Sequence, residues 1–152
     1  MIHEFVARFT ERKIDAVRIG NKYFLANKSL EKYRLDAKER VFGIYLGEEK
    51  EEKFVPSFGL LDWLSKHSKE KVFVKDIGEI DFLYKKNLRA RHIEKVEGKT
   101  EKGVPKLIQN AHDENLGYGV IIGDFTKTEQ VIKHKMDRGD FLQRERKSLI
   151  NA

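Results

Sequence analysis

The sequence predicts an α+β fold in two parts, an amino-terminal antiparallel sheet with flanking helices and then a small β-barrel. In the first half, apolar residues recur at helical spacing on both sides of a hairpin signal. In the second half, short extended runs follow one another with turn residues between them, as in small barrels. The polar stretch over 65–71 separates the two patterns. We therefore expect one domain over residues 1–68 and a second over 69–152.

An amphipathic helix is predicted at the start of the first domain. Its apolar residues fall at i, i+3, i+4 and i+7, the stripe of a helix that lies on a core: Ile2, Phe5, Val6 and Phe9. Two extended runs, IDAVRI and KYFLAN, come next, and the pair Gly20-Asn21 between them suits a tight turn. The sequence therefore predicts a β-hairpin after the first helix.

The rest of the first domain continues the mixture of helices and strands. A short helix is expected over 30–39, capped by Ser29. The run VFGIYL at 41–46 predicts a strand, and the charged residues over 47–53 predict an exposed turn. A second apolar stripe predicts a helix over 58–67.

The second domain contains six extended runs and one short helical run around 78–85. The six runs are KVFVK (71–75), LRARHIEKV (88–96), PKLIQNA (105–111), LGYGVII (116–122), EQVIKHKM (129–136) and GDFLQRER (139–146). Their short length, with turn signals between them, is the reason for predicting a barrel.

The run LGYGVIIG carries three glycines, although glycine weakens the interior of a strand. Successive side chains of a strand point to opposite faces. One face would be wholly apolar, and we expect it to fill the barrel: Leu116, Tyr118, Val120 and Ile122. The other face is nearly bare, so a neighbouring strand or a ligand is expected to approach it closely. Gly117 and Gly119 are the pair expected to border a binding groove.

Composition favours an anionic partner. Charged residues make up 37% of the chain, the net charge is +6 and the pI is near 9.4, which suits nucleic acid first and an acidic membrane second. The absence of cysteine excludes disulfides and thiolate metal sites and fits an intracellular, cytoplasmic setting. No apolar run is long enough for a membrane span, and the amphipathic start does not resemble a signal peptide.

No group of residues predicts a catalytic or metal site. The five histidines lack metal-ligand spacing and are expected at the surface or at its boundary. The serines fall at helix starts, in the linker or near the terminus, without a partnered base. The compact group HDEN at 112–115 is interpreted as turn chemistry. We therefore expect no catalytic residue, no metal and no cofactor.

Two cationic clusters remain, KKNLRAR at 85–91 and KHKMDRGDFLQRERK at 133–147. Residues at i and i+2 would share a strand face in three pairs: Arg89 with Arg91, Lys133 with Lys135, and Arg144 with Arg146. Charge concentrated on one side suits a surface that follows phosphates. An ordinary solvated barrel exterior is the alternative interpretation of any one of these residues.

The order of four motifs in the second half resembles a PUA domain, a small RNA-binding barrel: KVFVK, DIGEIDFLYKKN, LGYGVI and GDFLQRE. The preceding half, with YFLANKSLEKY and PSFGLLDWLSKHSKEKVFVK, resembles the first domain and linker of the Nip-seven family of large-subunit ribosome-assembly factors, of the archaeal type. The resemblance covers nearly the whole chain and implies a PUA-type β pseudobarrel at the carboxyl end. One departure is Lys86, where the family usually has glycine before Asn87.

The resemblance also implies a function without catalysis. It implies binding to U-rich or A/U-rich single-stranded segments of large-subunit ribosomal RNA precursor, gripped between the short helix, the next strand and the last strand. Three RNA-binding residues follow from the resemblance, Arg144, Arg146 and Lys147. The first cationic cluster adds Lys85, Lys86, Arg89 and Arg91, and the bare face of the glycine-rich strand adds Gly117 and Gly119. The first domain has fewer clustered cations and is expected to bind the exosome or another assembly factor through exposed aromatic residues, for which Phe54 and Phe58 are candidates. A place in the core is the alternative interpretation of each of these two residues.

Two other function classes stay open. One is an RNA-modification protein that carries a PUA domain, although the first half is short and lacks a catalytic aspartate in a recognisable setting. The other is a translation-initiation-like factor, because related two-domain PUA proteins bind the small ribosomal subunit.

Overall fold

The computed structural model describes residues 1–26, 44–127 and 129–139. Two compact units divide the chain, Met1–His67 and Ser68–Ala152. Within the described ranges, no helix is long and apolar enough to cross a membrane.

The first unit contains a four-stranded antiparallel sheet and two helices in its described part. These elements are α1 (Ile2–Ala7), β1 (Ala16–Ile19), β2 (Lys22–Leu25), β3 (Tyr45–Lys50), β4 (Lys53–Pro56) and α2 (Phe58–His67). The strand order is β1-β2-β3-β4. The predicted antiparallel sheet with flanking helices is confirmed.

The two apolar stripes form the core of this unit, as predicted. In α1, Ile2 and Val6 are buried, and in α2 the buried residues are Leu60, Leu61 and Leu64. Burying one such side chain stabilises a fold by about 1.5–3 kcal/mol. Both helices are too short to be stable on their own, so tertiary packing holds them in place.

Two tight turns shape the sheet. Gly20 has a φ of +63°, as the predicted turn between β1 and β2 requires. The charged run over 47–53 does not form one long turn, and that prediction is wrong in extent. The strand β3 continues to Lys50, and only Glu51 and Glu52, both at positive φ, turn the chain into β4.

The aromatic residues expected to bind partners from this unit are half-buried rather than exposed. The Phe54 ring packs against the rings of Phe5 and Tyr23, with centroids 5.3 and 5.8 Å away. Phe58, at the start of α2, is half-buried as well. The expectation of exposed aromatic residues at these two positions is wrong.

The second unit contains a six-stranded mixed sheet that curls into a half-barrel. Its elements are β5 (Lys71–Val74), α3 (Asp76–Leu83), β6 (Leu88–Arg89), a 3₁₀ turn (Ala90–His92), β7 (Ile93–Glu97), β8 (Pro105–Gln109), β9 (Asn115–Ile121) and β10 (Gln130–Asp137). The strand order is β6-β10-β9-β8-β5-β7, and β5 pairs with β8 in parallel while the other pairs are antiparallel.

One apolar cluster fills the inside of this sheet and holds α3 against it. Phe82 from α3 is fully buried and is the largest of the buried side chains in the cluster. The buried members are Val72, Val74, Phe82, Leu88, Ile108, Leu116, Ile121, Val131 and Ile132. The packing of Phe82 fixes the end of α3 next to the strands that follow it.

The interior face of β9 is not the one that simple alternation predicts. Leu116 lies in the core, but the next core residue is Ile121, an odd number of positions later. Tyr118 and Val120 are only half-buried, and Ile122 is 38% exposed. The prediction that these three side chains fill the barrel is wrong.

A β-bulge is the cause of this reversal. Gly117 pairs with Ile108 and Asn115 pairs with Gln109, which leaves Leu116 as an extra residue on β9. One extra residue moves every later side chain to the opposite face. The glycine-rich face of β9 therefore points inwards.

The predicted strand over 88–96 is interrupted in the structure. It forms β6, a 3₁₀ turn and then β7, so Arg89 lies in a strand and Arg91 in the turn. The prediction that they share one strand face is wrong. The interruption separates β6, which pairs with β10, from β7, which pairs with β5 at the other end of the sheet.

Several predictions fall outside the described residues. They concern the helix over 30–39, nearly all of the last strand over 139–146, and three of the expected RNA-binding residues, Arg144, Arg146 and Lys147.

Candidate nucleic-acid interface

The carboxyl end of α3 is closed by a lysine where glycine is the usual residue. The N–H of Lys85 donates to the carbonyl of Phe82, and the N–H of Lys86 donates to that of Asp81, both at 3.0 Å. These two bonds form a Schellman motif, whose turning residue has a left-handed conformation. Lys85 has a φ of +65°, which costs about 1–2 kcal/mol for a residue other than glycine. The left-handed conformation therefore lies at Lys85 and not at Lys86, the position where the family usually has glycine.

The Lys85 side chain reaches a buried carboxylate. Its Nζ lies 3.3 Å from Oδ2 of Asp137, whose side chain is 0% exposed. The same oxygen lies 2.6 Å from Nε2 of His134, and the other oxygen accepts the N–H of Gly139 at 2.6 Å. A buried charge needs such partners to be tolerated. Asp137 therefore links the end of α3 to the end of β10.

Asn87 makes a second link between the same elements. Its Nδ2 donates to Oε1 of Gln130 at 3.0 Å, and its Oδ1 accepts the N–H of His134 at 2.9 Å. The side chain thereby takes the place of a backbone partner where the register of β6 against β10 is irregular. The connection between α3 and β6 is therefore fixed at both of its ends.

A buried histidine supports the two arginines that follow. His92 is 2% exposed, and its Nδ1 accepts the N–H of Arg89 at 2.9 Å, so the proton sits on Nε2, 3.0 Å from Oδ2 of Asp81. Burial lowers the pKa of His92, and the Asp81 carboxylate opposes that shift. The expectation that every histidine lies at the surface or its boundary is wrong here. The neutral imidazole holds the 3₁₀ turn, while Arg89 and Arg91 face solvent.

We call Lys85, Lys86, Arg89 and Arg91 the cationic edge. All four side chains are exposed, and they follow one another along the connection from α3 to β7. Lys86 is 66% exposed and lies 4.0 Å from Asp81, a surface pair that contributes about 0–1 kcal/mol. Lys86, Arg89 and Arg91 can offer their charge to an anion, because Asn87 and His92 hold the backbone there. The charge of Lys85 is shared with the buried Asp137.

The chain matches the family described as UPF0113 PUA domain over residues 70–146, slightly more than half of its length. The chain belongs to this family. The resemblance inferred from the sequence motifs is thereby confirmed, and the cationic edge lies within the PUA domain.

Relatives and solved structures extend the likeness over both units. The 60S ribosome subunit biogenesis protein nip7 of Schizosaccharomyces pombe is 25% identical over 132 residues, covering 81% of this chain and 73% of that protein. A conserved PUA domain protein from Thermoplasma acidophilum has a TM-score of 0.59 at 18% identity, over 95% of this chain and 91% of that one. A hypothetical protein from Pyrococcus horikoshii OT3 has a TM-score of 0.54 at 11% identity, over 89% and 80%. The two structures support the predicted fold.

The two glycines expected near a groove lie inside the PUA domain. Gly117 has a φ of +145°, and an added Cβ would lie 1.8 Å from the carbonyl oxygen of Met136. At Gly119 an added Cβ would lie 2.5 Å from Cγ2 of Ile132 and 2.6 Å from the carbonyl oxygen of Lys133. Both residues are buried, so the close approach that they allow is that of β10. A role for them at an RNA groove stays a prediction.

Two residues of this region were missed from the sequence, His134 and Asp137. Both lie within the cluster over 133–147, in which the sequence pattern indicates only the basic residues as candidates. An aspartate three positions after a histidine is a common surface pattern, and its burial depends on Lys85, 52 positions away. Only knowledge of how α3 packs against β10 would reveal this burial.

Two other basic side chains of the PUA domain, Lys71 and Lys106, are buried and paired. Lys106 is 0% exposed, its Nζ lies 2.7 Å from Oε2 of Glu70, and it also donates to the carbonyl of Glu97. Burial lowers the pKa of Lys106, and Glu70 opposes the shift. Lys71 forms a second such pair with Asp113 at 3.0 Å. These lysines stabilise the sheet and offer no charge to a ligand.

The group HDEN is a turn, as interpreted from the sequence. Oδ1 of Asn110 accepts the N–H groups of His112 and Glu114, and Asp113 has a φ of +60°. Across the described residues, no group of three or more His, Asp or Glu side chains could hold a metal ion.

Proposed function

We propose that this protein binds single-stranded RNA through the cationic edge and the segment that follows β10, and that it acts in assembly of the large ribosomal subunit. The observation that carries the proposal is the cationic edge itself, four exposed cations within seven residues on a backbone fixed by buried partners. Membership of a PUA family and the likeness to the 60S ribosome subunit biogenesis protein of Schizosaccharomyces pombe support it.

The proposed mechanism is binding without a chemical step. Cations hold phosphates, and polar groups along the strand edges contact the bases. With about four phosphate contacts, the logarithm of the affinity falls against the logarithm of the salt concentration with a slope of about −3 for a single strand. The RNA we propose is a U-rich or A/U-rich segment of large-subunit ribosomal RNA precursor.

Charge-removal variants of the full chain test this proposal. Lys86→Gln with Arg91→Gln should weaken binding to a fluorescein-labelled oligouridine and reduce the salt slope by about 1.4. Thermal stability should stay within about 0.5 kcal/mol, because both side chains are exposed. The triple change of Arg144, Arg146 and Lys147 to glutamine should also weaken binding and reduce the salt slope.

A matched control removes the same charge elsewhere in the PUA domain. Lys99 and Lys102 are exposed in the connection between β7 and β8, and changing both to glutamine should leave the salt slope unchanged. An equal effect of both pairs would mean that net charge alone drives binding. Affinity independent of salt would overturn the electrostatic proposal.

The assembly role needs a separate measurement. Sedimentation of cell extracts through sucrose gradients should place the protein with precursors of the large subunit. Co-sedimentation with the mature small subunit would instead support the translation-initiation-like alternative. Formation of a modified nucleoside by the purified protein would support the enzyme alternative.

We further propose that the two domains, 1–68 and 69–152, divide the work, with the first binding a protein partner such as the exosome or another assembly factor. Its exposed apolar side chains Tyr45 and Val55, 38% and 43% exposed, support this role. Residues 1–68 alone should then retain the partner from an extract, while the second domain alone retains RNA. Retention of the partner by the second domain alone would overturn the division.

A further inference from the structure

Three exposed apolar side chains lie in a line on α3. Ile77, Ile80 and Tyr84 are 52%, 57% and 60% exposed, and they occupy positions i, i+3 and i+7 of the helix and its end. This spacing places them on one face. The opposite face buries Gly78 and Phe82 against the sheet. Single exposed apolar residues are ordinary, but an aligned set on a short helix indicates a contact surface.

The charge around this stripe differs between its two ends. Asp76 and Glu79 surround Ile77 in the first turn of α3. Lys85 and Lys86 directly follow Tyr84, and both are exposed. A phosphate chain is repelled at the start of the stripe and attracted at its end. An RNA strand on the cationic edge therefore approaches Tyr84 and not Ile77.

The position of Tyr84 is fixed by the end of the helix. Its N–H donates to the carbonyls of Ile80 and Asp81, each at 3.2 Å, and the strained turn at Lys85 follows. A ring that is held on a rigid backbone and open to solvent suits stacking, since little freedom is lost when a base covers it. Every base has a flat face, so such stacking tolerates different sequences.

We propose that Tyr84 stacks on an unpaired base of the bound RNA, with Ile80 contacting the edge of the same base, while the cationic edge holds the neighbouring phosphates. This inference rests on the proposed RNA-binding function and names a residue that the cationic clusters did not include. Stacking and charge then contribute separately to the RNA affinity. The two contributions can be told apart because only the contribution from charge depends on the salt concentration.

Tyr84→Ala in the full chain should weaken binding to oligouridine by between about 5-fold and about 150-fold. Because no phosphate contact is lost, its salt slope should equal that of the wild type. Tyr84→Phe keeps the ring and should bind within about twofold of the wild type. Ile77→Ala, at the acidic end of the same face, is the matched control and should bind as the wild type does.

Photocrosslinking locates the contact directly. An oligonucleotide that carries 5-iodouridine should crosslink to the tryptic peptide 76–85, in which the other aromatic ring, Phe82, is fully buried. Tyr84→Ala should lose this crosslink. A crosslink confined to other peptides would overturn the stacking inference even if binding were strong.

The outcomes separate the inference from the function on which it rests. Wild-type protein that fails to bind oligouridine and mixed A/U oligonucleotides would overturn the proposed function, and the inference with it. Wild-type binding that Tyr84→Ala leaves unchanged would overturn the inference alone. If Tyr84→Ala kept its RNA affinity but no longer associated with large-subunit precursors, the stripe would bind a protein instead.

Discussion

The interior of the PUA domain and its cationic edge both contain basic residues, but these residues have opposite surroundings. Lys106 is 0% exposed and is neutralised by Glu70, whereas Lys86 and Arg91 face solvent. A count of positive charge along the sequence does not separate the two groups. Burial and pairing decide which charge stabilises the fold and which is available to a ligand.

The largest expected effect is on the interior side of this comparison. Lys106→Ala would remove the ion-pair partner of the Glu70 carboxylate, which is 14% exposed and would keep only the N–H of Lys99 as a donor. Removing one member of a buried pair costs about 3–5 kcal/mol. We expect a loss of that size in the free energy of unfolding by urea, with RNA affinity unchanged under conditions where the variant is folded.

An exposed pair provides the control for Lys106. Lys95 is 60% exposed and lies 2.9 Å from Glu97, so Lys95→Ala should cost no more than about 1 kcal/mol. If Lys106→Ala cost as little, the contrast between interior and edge would not hold.

A comparable effect is expected from Gly117→Ala, a change that tests whether this glycine serves packing or a ligand. The added methyl group would overlap the Met136 carbonyl oxygen, 1.8 Å away, at a φ of +145°. Overpacking and backbone strain each cost about 1–3 kcal/mol, so the loss in unfolding free energy should exceed about 2 kcal/mol.

Gly103→Ala separates the two contributions to that loss. Gly103 also has a positive φ, +88°, but no atom lies within 4 Å of the added methyl group. It should therefore show the strain alone, about 1 kcal/mol. Lower RNA affinity of Gly117→Ala at unchanged stability would support the predicted groove instead of packing.

Local sequence patterns predict the structure correctly where the residues that determine it lie within one helix or one turn. The stripe of Leu60, Leu61 and Leu64 predicted α2 with its observed bounds, and the Gly20-Asn21 pair predicted the first hairpin. Both follow from residues within one helix or one turn. The cationic cluster over 85–91 was likewise visible, because it is continuous in sequence.

The errors arose where one residue changes the pairing of a whole strand. Alternation along β9 assigned the wrong interior face, since the bulge at Leu116 depends on pairing with β8 rather than on local composition. The run over 88–96 has the composition of one strand, but β6 and β7 pair at opposite ends of the sheet. Buried partners from distant positions, such as Lys85 and Asp137, were invisible for the same reason.

The smallest expected effect is the dependence of stability on pH. It again compares a buried basic side chain, His92, with exposed ones. His92 is buried beside Arg89 and Arg91, and burial lowers its pKa. The unfolded chain therefore binds more protons between this lowered pKa and about 6.5. Stability should fall as the pH drops through that window, by at most about 1.4 kcal/mol per pH unit for one proton.

The variant His92→Asn isolates this contribution, because the pKa of His67 in the first unit is also lowered by burial. Urea unfolding across the window should show a shallower pH dependence for the variant than for the wild type. A wild type that gained stability on acidification would contradict the assignment of a neutral His92.

The parallel pair of β5 and β8 has a consequence for how the second unit reaches its native state. Lys71 lies opposite Leu107, and α3, β6 and β7 all occur in the chain between them. The antiparallel ribbon of β8, β9 and β10 needs only short connections and can form early, whereas the parallel seam must first close a long loop. We expect this seam to be the last part of the sheet to form, so that mutations in β5 accelerate unfolding more than they slow folding.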